Sequence, residues 1–215
     1  MTTPTVQFWF EFASTYSYLA AERIEVLAAA AGVTVVWKPF LLGPIFRAQG
    51  WNDSPFNIYA AKGRYMWRDM ERCCAAYGIA FRRPMQFPRN GLLAARVACC
   101  LRDEPRVGEF VRAVYRANFA EDRDIGDAST ITSLLDGLSL PAASILPASQ
   151  SAEIKDRLRR QTDEAVHIGI FGAPSFVTGG ELFWGNDRLE QALAWAVECG
   201  GSPPLAKSKL PHCKA

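Results

Sequence analysis

The sequence predicts an α/β fold divided by a large all-helical insertion. Three features predict it: a strand–helix–strand order at the start, a nearly continuous helical stretch from about Phe56 to Val166, and a strand–strand–helix order at the end. Val6 to Phe12 is aromatic and β-rich, the pattern of a strand covered on both faces. Ala13-Ser14-Thr15 is a short polar break of residues suited to capping a helix. Tyr16 to Ala31 follows as that helix, with Ala20, Ile24, Leu27 and Ala31 on one face. Gly32 stands where a C-terminal glycine cap belongs. Val33 to Phe40 is again β-branched and aromatic, and a crossover helix between two strands implies a parallel pair.

Helices are then expected over Lys62 to Tyr77 (closed by Gly78), Gly91 to Leu101, Arg106 to Ala120, Ala128 to Gly137 and Ser151 to Val166. Their short connections are those of a helical bundle. Ser175 to Val177 is a short strand, Gly179-Gly180 a hairpin signal, and Glu181 to Trp184 the return strand. Leu189 to Cys199 closes the pattern as a helix. The expected units are a split sheet domain over 1–42 and 168–200, a helical insertion over 43–167, and a loose tail over 201–215, rich in proline and lysine.

Composition narrows the function classes. A chain of 215 residues, 49% hydrophobic, buries on the order of 70% of its unfolded surface and needs neither disulfides nor a structural metal to fold. Charged residues make up 21% and the formal net charge is +2, which fits neither a disordered acidic chain nor a nucleic-acid-binding polycation. Arg64 to Arg72 mixes bases and aromatics, but its helical spacing and interspersed acids read as a solvated helix. The six cysteines, Cys73, Cys74, Cys99, Cys100, Cys199 and Cys213, form no Cys-x-x-Cys pair, and no zinc spacing is present. They read as reduced thiols, with no metal site expected. Met-Thr-Thr-Pro-Thr lacks a basic signal region, and Glu11 interrupts the apolar run that follows; the expected location is the cytoplasm, with no membrane span. His167 and His212 read as structural or solvent-facing, and Trp9, Trp37, Trp67 and Trp195 as core or interface residues.

A four-stranded sheet split into a parallel half and an antiparallel hairpin is the thioredoxin-like arrangement. Ala173-Pro174, just before the third strand, then occupies the place of that fold's cis-proline. In a thioredoxin-like oxidoreductase the first helix opens with Cys-x-x-Cys. Here the stretch is Ser14-Thr15-Tyr16-Ser17, so disulfide exchange is chemically unavailable there. What remains is an electropositive helix end and a hydroxyl, able to hold an anion such as a ligand's thiolate; Ser14 also serves as a plain N-cap.

The run Phe8-Trp-Phe-Glu-Phe-Ala-Ser-Thr-Tyr-Ser-Tyr-Leu-Ala20 resembles the opening of 2-hydroxychromene-2-carboxylate isomerases and kappa-class glutathione transferases. Two further blocks agree, Phe171-Gly-Ala-Pro-Ser-Phe-Val177 and Leu182-Phe-Trp-Gly-Asn-Asp-Arg-Leu189, as do Lys62-Gly-Arg-Tyr65, Arg68-Asp69 and Tyr77-Gly-Ile79 within the insertion. The resemblance covers residues 6 to 199, with Thr15 in place of the usual proline. It implies glutathione as cofactor, with Ser14 beside the sulfur, Ala173 pairing through its backbone with the cysteinyl part, and Trp184, Gly185, Asn186 and Asp187 holding the γ-glutamyl end. Asp187 would bond the ligand's ammonium, cap the helix that begins at Arg188, or do both. Asn52 matches an asparagine facing the cleft, with Asn57 as its rival, and Arg47 lies where a cation meets the substrate carboxylate, an exposed solvated arginine being the equal alternative. Lys62 and Arg89 read as surface charges, with lining the cleft as the alternative.

The resemblance further implies a homodimer, a small aromatic substrate, and isomerisation of a hydroxychromene carboxylate to trans-benzylidenepyruvate through transient thiolate addition, with Ser14 as the catalytic residue. A kappa-like conjugating transferase, or a non-catalytic thiol- or peptide-binding module, are the alternatives.

Overall fold

The computed structural model describes residues 3–200. The chain opens with β1 (Thr5–Phe10), α1 (Thr15–Ala31) and β2 (Thr34–Pro39). Eight helices follow: α2 (Leu42–Ala48), α3 (Pro55–Ile58), α4 (Ala60–Tyr77), α5 (Leu92–Cys100), α6 (Val107–Phe119), α7 (Ala128–Gly137), α8 (Ala142–Ser149) and α9 (Ala152–His167). It closes with β3 (Ser175–Thr178), β4 (Glu181–Trp184), one 3₁₀ turn over Asn186–Arg188, and α10 (Leu189–Cys199). The four strands form one sheet in the order β2-β1-β3-β4. β1 runs parallel to β2 and antiparallel to β3, which pairs antiparallel with β4. This is the thioredoxin-like sheet with helices inserted between its halves.

The unalternating aromatics of β1 are explained by its central place. Phe8 stands opposite both Trp37 of β2 and Phe176 of β3, with ring centroids 5.3 and 5.4 Å away. Phe8 and Phe10 enter the larger core, whereas Trp9 points to the other face and packs with Phe40, Ile45, Ala165 and Ile170. The larger core continues from the sheet through α1 into the inserted helices, taking in Met66, Val97, Phe110, Tyr115 and Leu158.

Three helices escape the sequence reading, α2, α3 and α8. Each is short and carries a proline, Pro44, Pro55 and Pro147, which interrupts the apolar period and the backbone donors on which such a reading rests. β1 ends at Phe10, two residues earlier than the aromatic run suggests. The chain turns there because Ser14 N–H donates to Glu11 O and Ala13 N–H to Glu11 Oε2, both at 2.9 Å. The basic and aromatic stretch on α4 is a charged helix face, with Arg68 paired to Glu71 and Arg72 to Asp69. His167 is exposed at the end of α9; Trp9 and Trp37 are buried, and Trp67 and Trp195 half-buried. The expected tail, with His212 and Cys213, lies outside the described residues. Among the described residues no helix is long and apolar enough to cross a membrane, and no cluster of potential ligands could hold a metal.

Candidate functional site

Ser14 is the N-cap of the 17-residue α1, with an extended backbone and a side-chain oxygen that accepts from Ser17 N–H at 3.2 Å. Its hydroxyl donates to Ala173 O at 3.0 Å. The peptide bond between Ala173 and Pro174 is cis, as expected, and Pro174 O accepts from Gly185 N–H at 3.0 Å. The start of α1, the Ala173 backbone and the β4 end thus meet although far apart in sequence. The first N–H groups of a helix have no intrahelical partner and carry its positive end, so the place suits an anion.

A cavity of about 1150 Å³ opens at this point, lined by Ser14, Thr15 and Tyr16 on one side and by residues of α2, α3, α4 and the α4–α5 loop on the other. Such a volume exceeds the roughly 300–1,000 Å³ of a one-ligand site. Its walls include Phe46, Trp51, Phe56, Phe87, Phe171 and Trp184, with Arg47 and Lys62 as cations. Tyr16 packs beside Phe56, and its hydroxyl donates to Asp69 Oδ2 at 2.9 Å. Burial, first, and that carboxylate, second, raise the Tyr16 phenol above its ordinary range, so it serves as a donor and stays protonated.

The residues singled out from sequence divide in two. Ser14, Ala173, Trp184, Arg47 and Asn52 all line the cavity. Asn57 does not: its amide donates to the Asp53 carboxylate and to Phe87 O. Gly185, Asn186 and Asp187 lie beyond the cavity wall. Gly185 has φ 110°, and a Cβ there would stand 2.5 Å from Asp187 Oδ1, so the turn out of β4 requires glycine. Asn186 is buried, with Oδ1 accepting from Arg23 at 3.0 Å. Asp187 is exposed and pairs with Arg188 at 3.2 Å. It does not cap a helix: Gly185 precedes the 3₁₀ turn, and α10 starts only at Leu189.

Arg89 corrects its reading as a surface charge. It is buried, paired with Asp122 and with Asn118 O and Oδ1, because α6 and the following loop fold over it and supply acceptors; part of it still reaches the cavity. Lys62 is exposed at the rim and stacks on the Tyr59 ring. The five described cysteines are unpaired. Cys74 and Cys99 are inert thiols, each pushed up to about 12 by burial.

One site residue entered the sequence reading only as a break in an apolar run and as part of the Phe8–Ala20 block, with no role of its own. Glu11, half-buried in the cavity wall, is pushed up to about 7 by desolvation, against the lowering effect of its bond from Ala13. A lone carboxylate at the end of an apolar strand, three residues before the helix cap, is the signal that could have found it.

The N–H groups that open α1 beside Ser14 suit an anionic sulfur, so the residues present are compatible with a ligand such as glutathione. Residues 5–194 match the DSBA-like thioredoxin domain family. A 2-hydroxychromene-2-carboxylate isomerase of Sphingobium xenophagum is 29% identical over 87% of this chain and 95% of its own. Glutathione S-transferase kappa 2 of Caenorhabditis elegans is 30% identical over 90% of this chain and 92% of its own. A solved 2-hydroxychromene-2-carboxylate isomerase superposes with a TM-score of 0.81 at 26% identity, covering 92% of this chain and 98% of the other. With its serine-capped first helix, its cis-proline and its inserted helices, the chain belongs to the DsbA-like thioredoxin family, among the 2-hydroxychromene-2-carboxylate isomerases and kappa-class glutathione transferases.

Proposed function

We propose that the chain is a glutathione-dependent isomerase acting on 2-hydroxychromene-2-carboxylate, to give trans-o-hydroxybenzylidenepyruvate in aromatic hydrocarbon catabolism. The observation that carries this reading is the Ser14 hydroxyl, held at the α1 N-terminus beside Ala173 O and open to an aromatic-walled cavity. Glutathione, when bound, supplies a thiolate nucleophile that the chain itself lacks at this place. The free N–H groups at the start of α1, with the Ser14 hydroxyl turned from Ala173 O, stabilise negative charge there. Arg47 is the cation for a substrate carboxylate, Asn52 a neutral polar contact, and the rings of Phe46, Trp51 and Phe87 flank a flat substrate and exclude water. Ala173, Trp184, Gly185, Asn186 and Asp187 remain the proposed contacts along the tripeptide, with Asn186 oriented by Arg23.

Ser14→Ala is expected to cut glutathione-dependent turnover by about 100-fold, the effect of losing one charge-stabilising donor. Full activity without glutathione would overturn the reading. A kappa-like transferase is the second reading, favoured by the similarity to the nematode kappa enzyme. Parallel assays with a chromene carboxylate and a chlorinated aromatic separate the two. A cytoplasmic homodimer belongs to the proposal through the family resemblance, and sedimentation of the purified chain tests the dimer.

A further inference from the structure

We propose that Glu11 is the proton acceptor for the thiol that enters this cavity. The inference rests on the glutathione reading and adds a second group to it. Glu11 sits where β1 ends, and its carbonyl accepts from Ser14 N–H at 2.9 Å, so one tight turn fixes both residues on the same cavity wall. Its Oε2 is held by Ala13 N–H at 2.9 Å. Its Oε1 has no hydrogen-bond partner and no ion-pair partner among the described residues. Gly91, at the start of α5, leaves that oxygen room: a Cβ there would stand 3.3 Å from Oε1 and 2.9 Å from Phe12 Cβ.

The other titratable groups around the cavity are committed elsewhere or lie apart from this carboxyl. Tyr16 of α1 donates to Asp69, Arg89 of the α4–α5 loop is paired with Asp122, and Asp53 accepts from Ser54 N–H and Asn57. Arg47 of α2 and Lys62 of α4 line the cavity but make no ion pair with Glu11. From α6, Tyr115 donates its hydroxyl to the Glu11 carbonyl, leaving the carboxyl free.

When a thiol is ionised here, the S–H electron pair stays on sulfur and the proton passes to the Glu11 carboxylate, which becomes a neutral carboxyl. The cavity then holds one negative charge before the step and one after, never two facing each other in a half-dry wall. Release of the ligand runs the same transfer backwards. A carboxyl that titrates near neutral pH is matched to this task, as ordinary glutamates are not.

Calorimetric titration of glutathione, repeated in two buffers of different ionisation enthalpy, counts the protons given to solvent. At about pH 8, a unit above the Glu11 titration, the wild-type chain is expected to release almost none and Glu11→Gln about one. Glu11→Asp, which keeps an acid, should restore the wild-type count. Infrared difference spectra need no variant: on adding glutathione the wild-type chain should gain a protonated-carboxyl band. Equal proton release from the wild-type and Gln chains, or absence of that band, overturns the assignment while leaving glutathione binding intact. Absence of any binding heat in the wild-type chain overturns the glutathione reading, and the proton acceptor with it.

Discussion

Glu11 also couples the site to stability. Its folded carboxyl holds a proton up to about pH 7, whereas the unfolded group ionises near 4.5. Between those values the folded Glu11 binds more protons than the unfolded one, so the contribution of this group to stability is full below about pH 4.5 and is lost as pH rises to about 7. The loss is at most about 3 kcal/mol, reduced where the open side of the cavity admits water. Glu11→Gln keeps an acceptor for Ala13 and removes the ionisation. Its melting temperature should match wild type in acid and exceed it by a few degrees at mildly alkaline pH, as thermal melts across that range will show. Thr15 offers a second test. It opens α1 with a buried hydroxyl that has no partner, and Ser14 before it already has ψ 116°, which a following proline requires. Thr15→Pro removes the orphan and restricts the unfolded chain. It should raise stability by about 0.5–1 kcal/mol, measured by denaturant unfolding.

Among the elements, the contact between α3 and α4 sets part of the cavity wall. Gly63 of α4 lies so close to α3 that a Cβ would stand 2.2 Å from Phe56 O, a backbone atom that cannot step aside. Gly63→Ala is expected to cost about 1–3 kcal/mol and, by moving Phe56 in the cavity wall, to raise KM more than it lowers kcat. Unfolding and steady-state kinetics check the two effects. Neither helix contact was legible in the sequence, since α3 is a single turn set between Pro55 and Tyr59. The long elements were legible because period and caps agree: α1 runs from Ser14 to Gly32, and β1 reads as buried on both faces because it is. Of the site, Ser14 and Ala173 could be found because the thioredoxin topology gives them an address. Arg47 and Asn52 followed from resemblance; the bond that holds Asn186 was not legible because its partner Arg23 is distant in sequence, and Arg89 was misjudged because its acceptors are supplied by α6 and the loop beyond it.

At the scale of the molecule, the larger core joins the sheet to the insertion, with Phe8 and Phe10 in one cluster with Val97, Phe110 and Leu158. Two units divided in sequence therefore share their apolar packing. Thermal unfolding followed by far-ultraviolet and near-ultraviolet circular dichroism should give one coincident transition. Phe8→Ala, at the centre of the sheet, should lower it by about 3–5 kcal/mol and lower it for helices and sheet alike. Two separated transitions would show instead that the inserted helices hold together alone.

The bond from Ser14 to Ala173 O joins residues 159 apart in the chain, and β1 finds its β3 partner across a similar span. On the ribosome, β1 therefore leaves the exit tunnel long before the strand that completes its ladder. Until then Phe8, Trp9 and Phe10 wait with one edge unpaired, the kind of segment that chaperones hold and that aggregates at high expression. A nascent chain stalled before residue 173 would carry all the inserted helices yet lack the Ala173 carbonyl that holds Ser14. Slowing translation late in the message should lower the yield of folded chain more than slowing it within the helical stretch.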